Sequence, residues 1–594
     1  MRSLAFLLLL FIGSSVIAQS DLLAKNYFDQ GKYAKAIAIY SKLVSDNPGR
    51  LDYLISLVEA NQQLENFEEA NQLLKKRLTS GSVIPKLYVD IGYNYALQDR
   101  EIEATQNYDL AIEAVKERPN YVYSIGKTFQ EYGLLDYAVM AYETAMELNP
   151  ALNLNIQLAR LYGELGRLED MFLKYVDLTE KNPSGRGVAQ QNFSLYITED
   201  PSNEANVILR KILLEKLQKE QNILYNELLS WLFIQQKEFK KAFTQEKAIY
   251  KRTDEDMRGI NNLVIIAIAE EDYENAVPIV NFLIENSPNP ELKLRGHQYL
   301  LKIKLKTTPE KEYETVQKQF EDLFEIYGLG RSTYLLQIDY NHFLAFLMNK
   351  KEDAISNLKT LSKENLTSYQ EARVKMELAD ILVIDEKFNQ ALIYYSQIQK
   401  KVQSDVLAQE ARFKVAQTSY FKGDFEWAQV QLDVLRKSAS QLIANDAMEL
   451  SLMIRDNSLE DSTQTALRKY AKADLMSFQN KTEKAILALE DIITNHKGEK
   501  IEDEALLKQG ELYEKTEQYA KAEINYLKLI EFYKEDILAD DAFYRLGNLY
   551  ENKLGQPEKA KQFYEQIIFE FANSIYYVDA RKRFRLLRGD AIDQ

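Results

Sequence analysis

Residues 85–118, PKLYVDIGYNYALQDREIEATQNYDLAIEAVKER, and residues 119–152, PNYVYSIGKTFQEYGLLDYAVMAYETAMELNPAL, decide the fold, because the second stretch repeats the first. Gly92, Tyr95, Ala104, Tyr108 and Ala111 return as Gly126, Phe129, Ala138, Tyr142 and Ala145. One more step along, the same places hold Ala159, Tyr162, Met171, Tyr175 and Leu178. An earlier copy reads Ala24, Tyr27, Gly31, Tyr33, Ala36, Tyr40 and Pro48. A fixed period of this length marks a repeat array, in which each unit buries its apolar face only against its neighbours. A small residue and an aromatic three positions on share one helical face; the small residue admits a second helix closely, and the aromatic fills the gap beside it. Gly31, Gly133 and Gly166 fall between the two helices, where a left-handed turn is cheap only for glycine. Pro48, Pro150, Pro183 and Pro288 stand just past second helices, which proline cannot continue.

This pattern resembles the tetratricopeptide repeat, whose period is 34. The resemblance implies an all-α, right-handed superhelical solenoid of stacked antiparallel helix pairs. Residues 19–183 read as the clearest array. Across 184–333 the signature thins: Phe239–Ala242 and Tyr273–Ala276 keep the step, while 184–221 and 289–333 show only amphipathic helices, read as degenerate hairpins. From 334 to 594 the period lengthens. Ala354, Ala391 and Ala428 are evenly spaced at 37, as are Ala485 and Ala522, with Ala560 one residue later. About one added helical turn lengthens a helix without rotating its buried face away. The wider gap from Ala428 to Ala485 predicts an irregular insertion around Ala444–Ser462.

Composition agrees. In 594 residues there are 11 prolines and 21 glycines, too little turn chemistry for a β-sandwich or barrel. The absence of cysteine excludes disulfide frameworks, thiolate nucleophiles and Cys-type zinc or iron–sulfur sites. A formal charge of −16 argues against nucleic acid as the main partner, since that affinity rests on Lys and Arg displacing counterions.

Residues 1–18, MRSLAFLLLLFIGSSVIA, have an early Arg2, a short apolar run and a small-residue ending, the layout of a cleavable signal peptide. The expected location is the periplasm, with no transmembrane segment. The C-terminal run, which closes with FEFANSIYYVDARKRFRLLRGD, resembles the repeat arrays of bacterial envelope proteins such as the outer-membrane-assembly lipoprotein family, although it has no lipid-carrying cysteine.

No catalytic, cofactor or metal site is expected. His297, His342 and His496 are too dispersed for a pair on one helix. The Gly-Leu-Gly-Arg-Ser run at 328–332 lacks the ending of a phosphate loop and reads as a helix connection. A solenoid offers a long inner surface made by its first helices. Helical spacing places Lys86, Tyr93, Asn120, Tyr123, Lys127, Gln130, Asn153 and Arg160 there, a polar, aromatic and mildly basic set suited to a carboxylate-bearing segment. Arg581, Lys582, Arg583, Arg585 and Arg588 crowd the last predicted helix. Two roles are open to this cluster: contact with anionic headgroups or an acidic partner, or a polar cap that complements the helix dipole. The expected role is a non-enzymatic scaffold binding protein partners of the cell envelope in outer-membrane assembly or secretion; the alternative is a glycan- or peptidoglycan-associated superhelix supporting an enzyme.

Overall fold

Helix pairs along the chain close on a shared backbone device. In the computed structural model, which describes residues 20–80, 84–253, 256–403, 405–438, 440–458 and 464–589, left-handed residues recur at Gly31, Glu65, Asp99, Gly133 and Gly166. They return at Lys237 and Glu271, then at Asn349, Glu386, Gly423, Asn480, Glu517 and Gly555. The next residue donates its amide back into the first helix, as Lys32 does to the Tyr27 carbonyl at 2.8 Å and Arg167 to Tyr162 at 2.8 Å. This is the Schellman closure, which satisfies carbonyls that the helix end leaves free. Glycine is therefore not required there. Glu65, Asp99 and Glu386 carry the same turn at φ of 56–59°. The expected signal peptide, 1–18, lies outside the described residues.

All described secondary structure is helical. The chain divides into two compact units, Met1–Gly259 and Ile260–Gln594. In the first, helices pair antiparallel as Lys86–Ala96 with Glu101–Glu117, Val122–Glu131 with Leu135–Leu148, and Asn155–Glu164 with Leu168–Lys181. The pairing is anchored by a tyrosine under a small residue. A Cβ built on Gly92 would meet the Tyr108 ring at 2.4 Å, and one on Gly126 the Tyr142 ring at 2.7 Å. The ring that fills the gap thus belongs to the second helix. Tyr95, expected in that place, is buried next to it with its face against Arg100 at 4.5 Å. The stretch 184–221 departs from hairpin pairing: the short helix Arg186–Phe193 and the helix Glu204–Lys219 both pack on Leu168–Lys181.

The second unit repeats the same contact, with Gly510 over Tyr526 and Gly547 over Tyr564 at 2.4 and 2.5 Å. Its first helices are longer: Ser368–Ile384 and Val406–Lys422 have 17 residues, against 11 in Lys86–Ala96. The expected irregular insertion is instead a helix, Gln441–Ser458. It packs on Phe425–Ser438, while Val406–Lys422 touches it and also stacks on Thr465–Phe478. The Arg468 guanidinium reaches the Gly423 carbonyl across that junction at 3.1 Å. Period alone could not separate a loop from a third helix. The Gly-Leu-Gly-Arg-Ser run joins Tyr313–Tyr327 to Tyr334–Phe346, with Gly328 at φ +76°.

Candidate functional site

Of the predicted residues, Lys86, Tyr93, Tyr123, Lys127, Gln130 and Arg160 lie on first helices, while Asn120 falls in the short turn Pro119–Tyr121 and Asn153 just before Asn155–Glu164. Tyr93 lies flat on Tyr132, ring centres 3.9 Å apart and planes within 4°. The Tyr132 hydroxyl donates to Asp90 Oδ1 at 2.8 Å, tying one repeat to the next. Lys86 Nζ stands 3.5 Å from the other Asp90 oxygen, and Lys127 Nζ 3.3 Å from Glu131 one turn along. Tyr123 is 54% exposed. Gln130 donates to the Tyr142 hydroxyl at 3.4 Å, and Asn120, Asn153 and Arg160 are exposed. Arg160 sits beside Tyr175, easing the upward shift that burial gives that hydroxyl.

Charge on this face differs from the mildly basic expectation. Burial raises the carboxyls of both Asp90 and Glu59. Asp90 and Glu131 push Glu59 further up, and only Lys86 opposes them. Three carboxylates therefore converge where two lysines are already opposed by acids of their own helix. The acids were missed because composition gives their number and not their facing. What the face offers is an aromatic ledge, Tyr93–Tyr132, with an acidic margin.

A second locus, absent from the sequence reading, lies in the C-terminal unit. The ends of first helices three repeats apart meet there. Phe478 packs edge-on to Phe346 at 6.1 Å and against Phe421 at 5.7 Å, while Gln479 donates to the Ile384 carbonyl at 3.0 Å. Beside this knot a cleft of about 490 Å³ is walled by Tyr273, Leu305, Phe346 and Leu347, with Lys302 and Asp339 at its edge. His342 stacks on Phe346 at 4.2 Å and meets Glu377 at 2.9 Å. Burial pushes the His342 ring down, but the Glu377 carboxylate outweighs it and holds the ring above its ordinary range. Asp339 is raised by burial, with Lys302 in opposition. His342 is thus an inner-face residue; no local motif marks it, because its setting depends on how far the stack turns per repeat. His297 is half-buried, and His496 follows the end of helix Thr482–Asn495.

Further along, Gln441–Ser458 reaches over the inner side of the next repeat. Asn457 donates to Glu504 at 3.0 Å, and Glu449 is raised by burial and by the charges of Asp541, Asp446 and Glu511. Lys508 stands 3.3 Å from Asp474, and Arg545 pairs with Glu511. The basic C-terminal cluster divides. Arg583 turns inward to Asp579 at 2.6 Å and Glu551 at 3.0 Å, and Arg588 lies over Phe584 at 5.4 Å. Arg581 and Lys582 face solvent, and Arg585 is half-exposed. Among the described residues no group of three or more His, Cys, Asp or Glu could hold a metal ion, and no helix is long and apolar enough to cross a membrane.

Stacked helix pairs with a side-chain-rich inner face define a helical-repeat protein of the kind that binds other proteins. The chain carries tetratricopeptide repeats: models of that family match residues 22–82, 504–536 and 541–574. The human protein O-mannosyl-transferase TMTC1 is 21% identical over 154 residues, covering 25% of this chain and 17% of that protein. Among solved structures, yeast Tom70 aligns with 81% of this chain and 99% of its own, at 16% identity and TM-score 0.29. A Naa15/Naa10 complex bound to HypK-THB aligns over 97% of both chains at 12% identity and TM-score 0.28. With scores this low, neither structure adds to the reading of this one.

Proposed function

We propose that this protein is an exported, non-enzymatic scaffold of the bacterial cell envelope that holds segments of partner proteins on its first-helix faces, in outer-membrane assembly or secretion. One observation carries the binding claim: the Tyr93–Tyr132 ledge stands beside Glu59, Asp90 and Glu131, with Tyr123 exposed on the next first helix. Flat rings give contact area at low entropic cost, and Glu59, near which the acids Asp90 and Glu131 outnumber Lys86, favours a basic neighbour. The preferred segment therefore presents an apolar or aromatic side chain next to Lys or Arg. The envelope setting is supported by the leader-like residues 1–18 and by the resemblance of the closing repeats to envelope arrays. Overlap with 17% of a transferase transfers no reaction to this chain.

The test combines location and contact. Fractionation with protease access to intact cells reads the compartment; protection in the cytoplasm sinks the envelope claim. A photocrosslinking residue at position 123 or 127 is expected to trap a defined partner, while one at the outward Glu113 is not. Equal yields from both faces remove the inner-face assignment, and glycan retained without protein favours the glycan-associated alternative.

A further inference from the structure

Three of the most exposed large apolar side chains among the described residues fall within ten positions. Phe569, Ile575 and Val578 are 75%, 86% and 78% exposed, and no other such side chain exceeds Ile575 or Val578. They occupy the end of helix Pro557–Glu570, the following turn and the first turn of Tyr577–Arg588. Helical spacing then sets Val578, Arg581, Lys582 and Arg585 on one face, with the 53% exposed Leu586 at its border. The opposite face is committed: Ala580 is fully buried, Phe584 and Leu587 pack into the last core, and Arg583 is held by Asp579 and Glu551. This face alternates cations with protruding apolar groups in a chain of net charge −16.

We infer that this end of the array docks on an anionic lipid surface. Ile575, Val578 and Phe569 enter the headgroup layer, and the solvent-facing Arg581 and Lys582 lie against lipid phosphates. Amphipathic helices bind membranes in this way, by apolar insertion with electrostatic attraction. Shape favours lipid over a protein partner. The three apolar groups project from a helix end and a turn, and the adjacent hollow is lined by other residues, among them Asp536, Asp540 and Glu570. A fluid layer needs no complementary pocket, whereas a protein interface packs as densely as an interior. Those same acids repel anionic lipid, so the membrane approaches along Tyr577–Arg588 with Ile575 at its start and stays clear of the hollow.

The test is co-sedimentation of the full chain with vesicles of phosphatidylcholine alone and with phosphatidylglycerol added. Binding is expected to rise roughly tenfold or more with the anionic lipid and to fall with added salt. Paired Arg581→Glu and Lys582→Glu should abolish the preference; paired Ile575→Asp and Val578→Asp should bring binding to background. All four positions are exposed, so unchanged helical circular dichroism is expected for both variants. Equal binding to the two vesicle types overturns the inference, as does no binding, or self-association through Ile575 and Val578 without lipid.

Discussion

The 34-residue repeats of the N-terminal unit and the 37-residue repeats of the C-terminal unit use the same hinge and the same buried ring, yet spend their added length differently. Gly92 over Tyr108 and Gly510 over Tyr526 are one contact made twice, each leaving no room for a Cβ. The added residues extend first helices at the end away from the left-handed turn. In Ile501–Lys515 that end holds Glu502 and Asp503, both buried, with Glu502 accepting from the Gly498 amide and the Tyr533 hydroxyl at 2.6 Å. Unpaired amides and the helix dipole favour carboxylates there. Both kinds of repeat use the ring contact and tyrosine–carboxylate ties such as Tyr132 to Asp90, and the long repeat adds buried carboxylates at a first-helix start.

The largest break in this comparison is expected from Phe478→Ala. Truncating a packed phenylalanine costs up to about 3 kcal/mol, and Phe346 and Phe421 lose the ring that joins them. Hydrogen exchange should quicken at the helix ends around Phe346 and Phe421 while residues 85–152 keep their protection, because repeat arrays lose stability locally. Next come Gly92→Ala and Gly510→Ala. Each forces a methyl into a tyrosine ring, at about 1–3 kcal/mol, and denaturant melts should show similar losses in the two units. A much larger loss at one site would mean that the shared contact is not equally shared.

A smaller effect is read through pH. Burial and the neighbouring Asp503 hold the Glu504 carboxyl far above its ordinary range. Its folded form keeps a proton that the unfolded chain releases, so stability is lost as pH rises from the unfolded carboxyl range toward the raised value. Glu504→Gln should therefore raise Tm at pH 8 and change it little at pH 4. Smallest is the hinge: Gly133→Ala should cost about 1 kcal/mol, whereas Asp99→Gly at the matching turn should be near neutral, since relieved strain is offset by a looser unfolded chain.

Much of this was legible from the repeats themselves. Gly92, Gly126, Gly510 and Gly547 announced close helix approach, and Gly31 and Gly133 announced the hinge. The same hinge at Glu65, Asp99 and Lys237 was not legible, because backbone closure imposes φ there against side-chain preference. Tyrosines read correctly as packing, but their hydroxyls also consume carboxylates: Tyr225 donates to Glu180, Tyr576 to Asp541 and Tyr564 to Glu551. Part of the acidic excess is therefore internal fastening, which composition cannot distinguish from surface charge. Lys86, Tyr93 and Tyr123 were placed on the inner side, while the knot at Phe478 and the cleft near His342 depend on angles between repeats that no local pattern encodes.

The helix Gln441–Ser458 also bears on how such a chain finds its shape. A run of near-identical hairpins is translationally degenerate: one repeat can pair with the next-but-one at little energetic loss, and arrays misassemble by such slips. A third helix between Phe425–Ser438 and Thr465–Phe478 breaks that symmetry there. Any slip past it strands Ala447 and Ile454, both buried, in water and breaks the reach of Asn457 to Glu504. It works as a registration mark that lets repeats on either side count from a fixed origin.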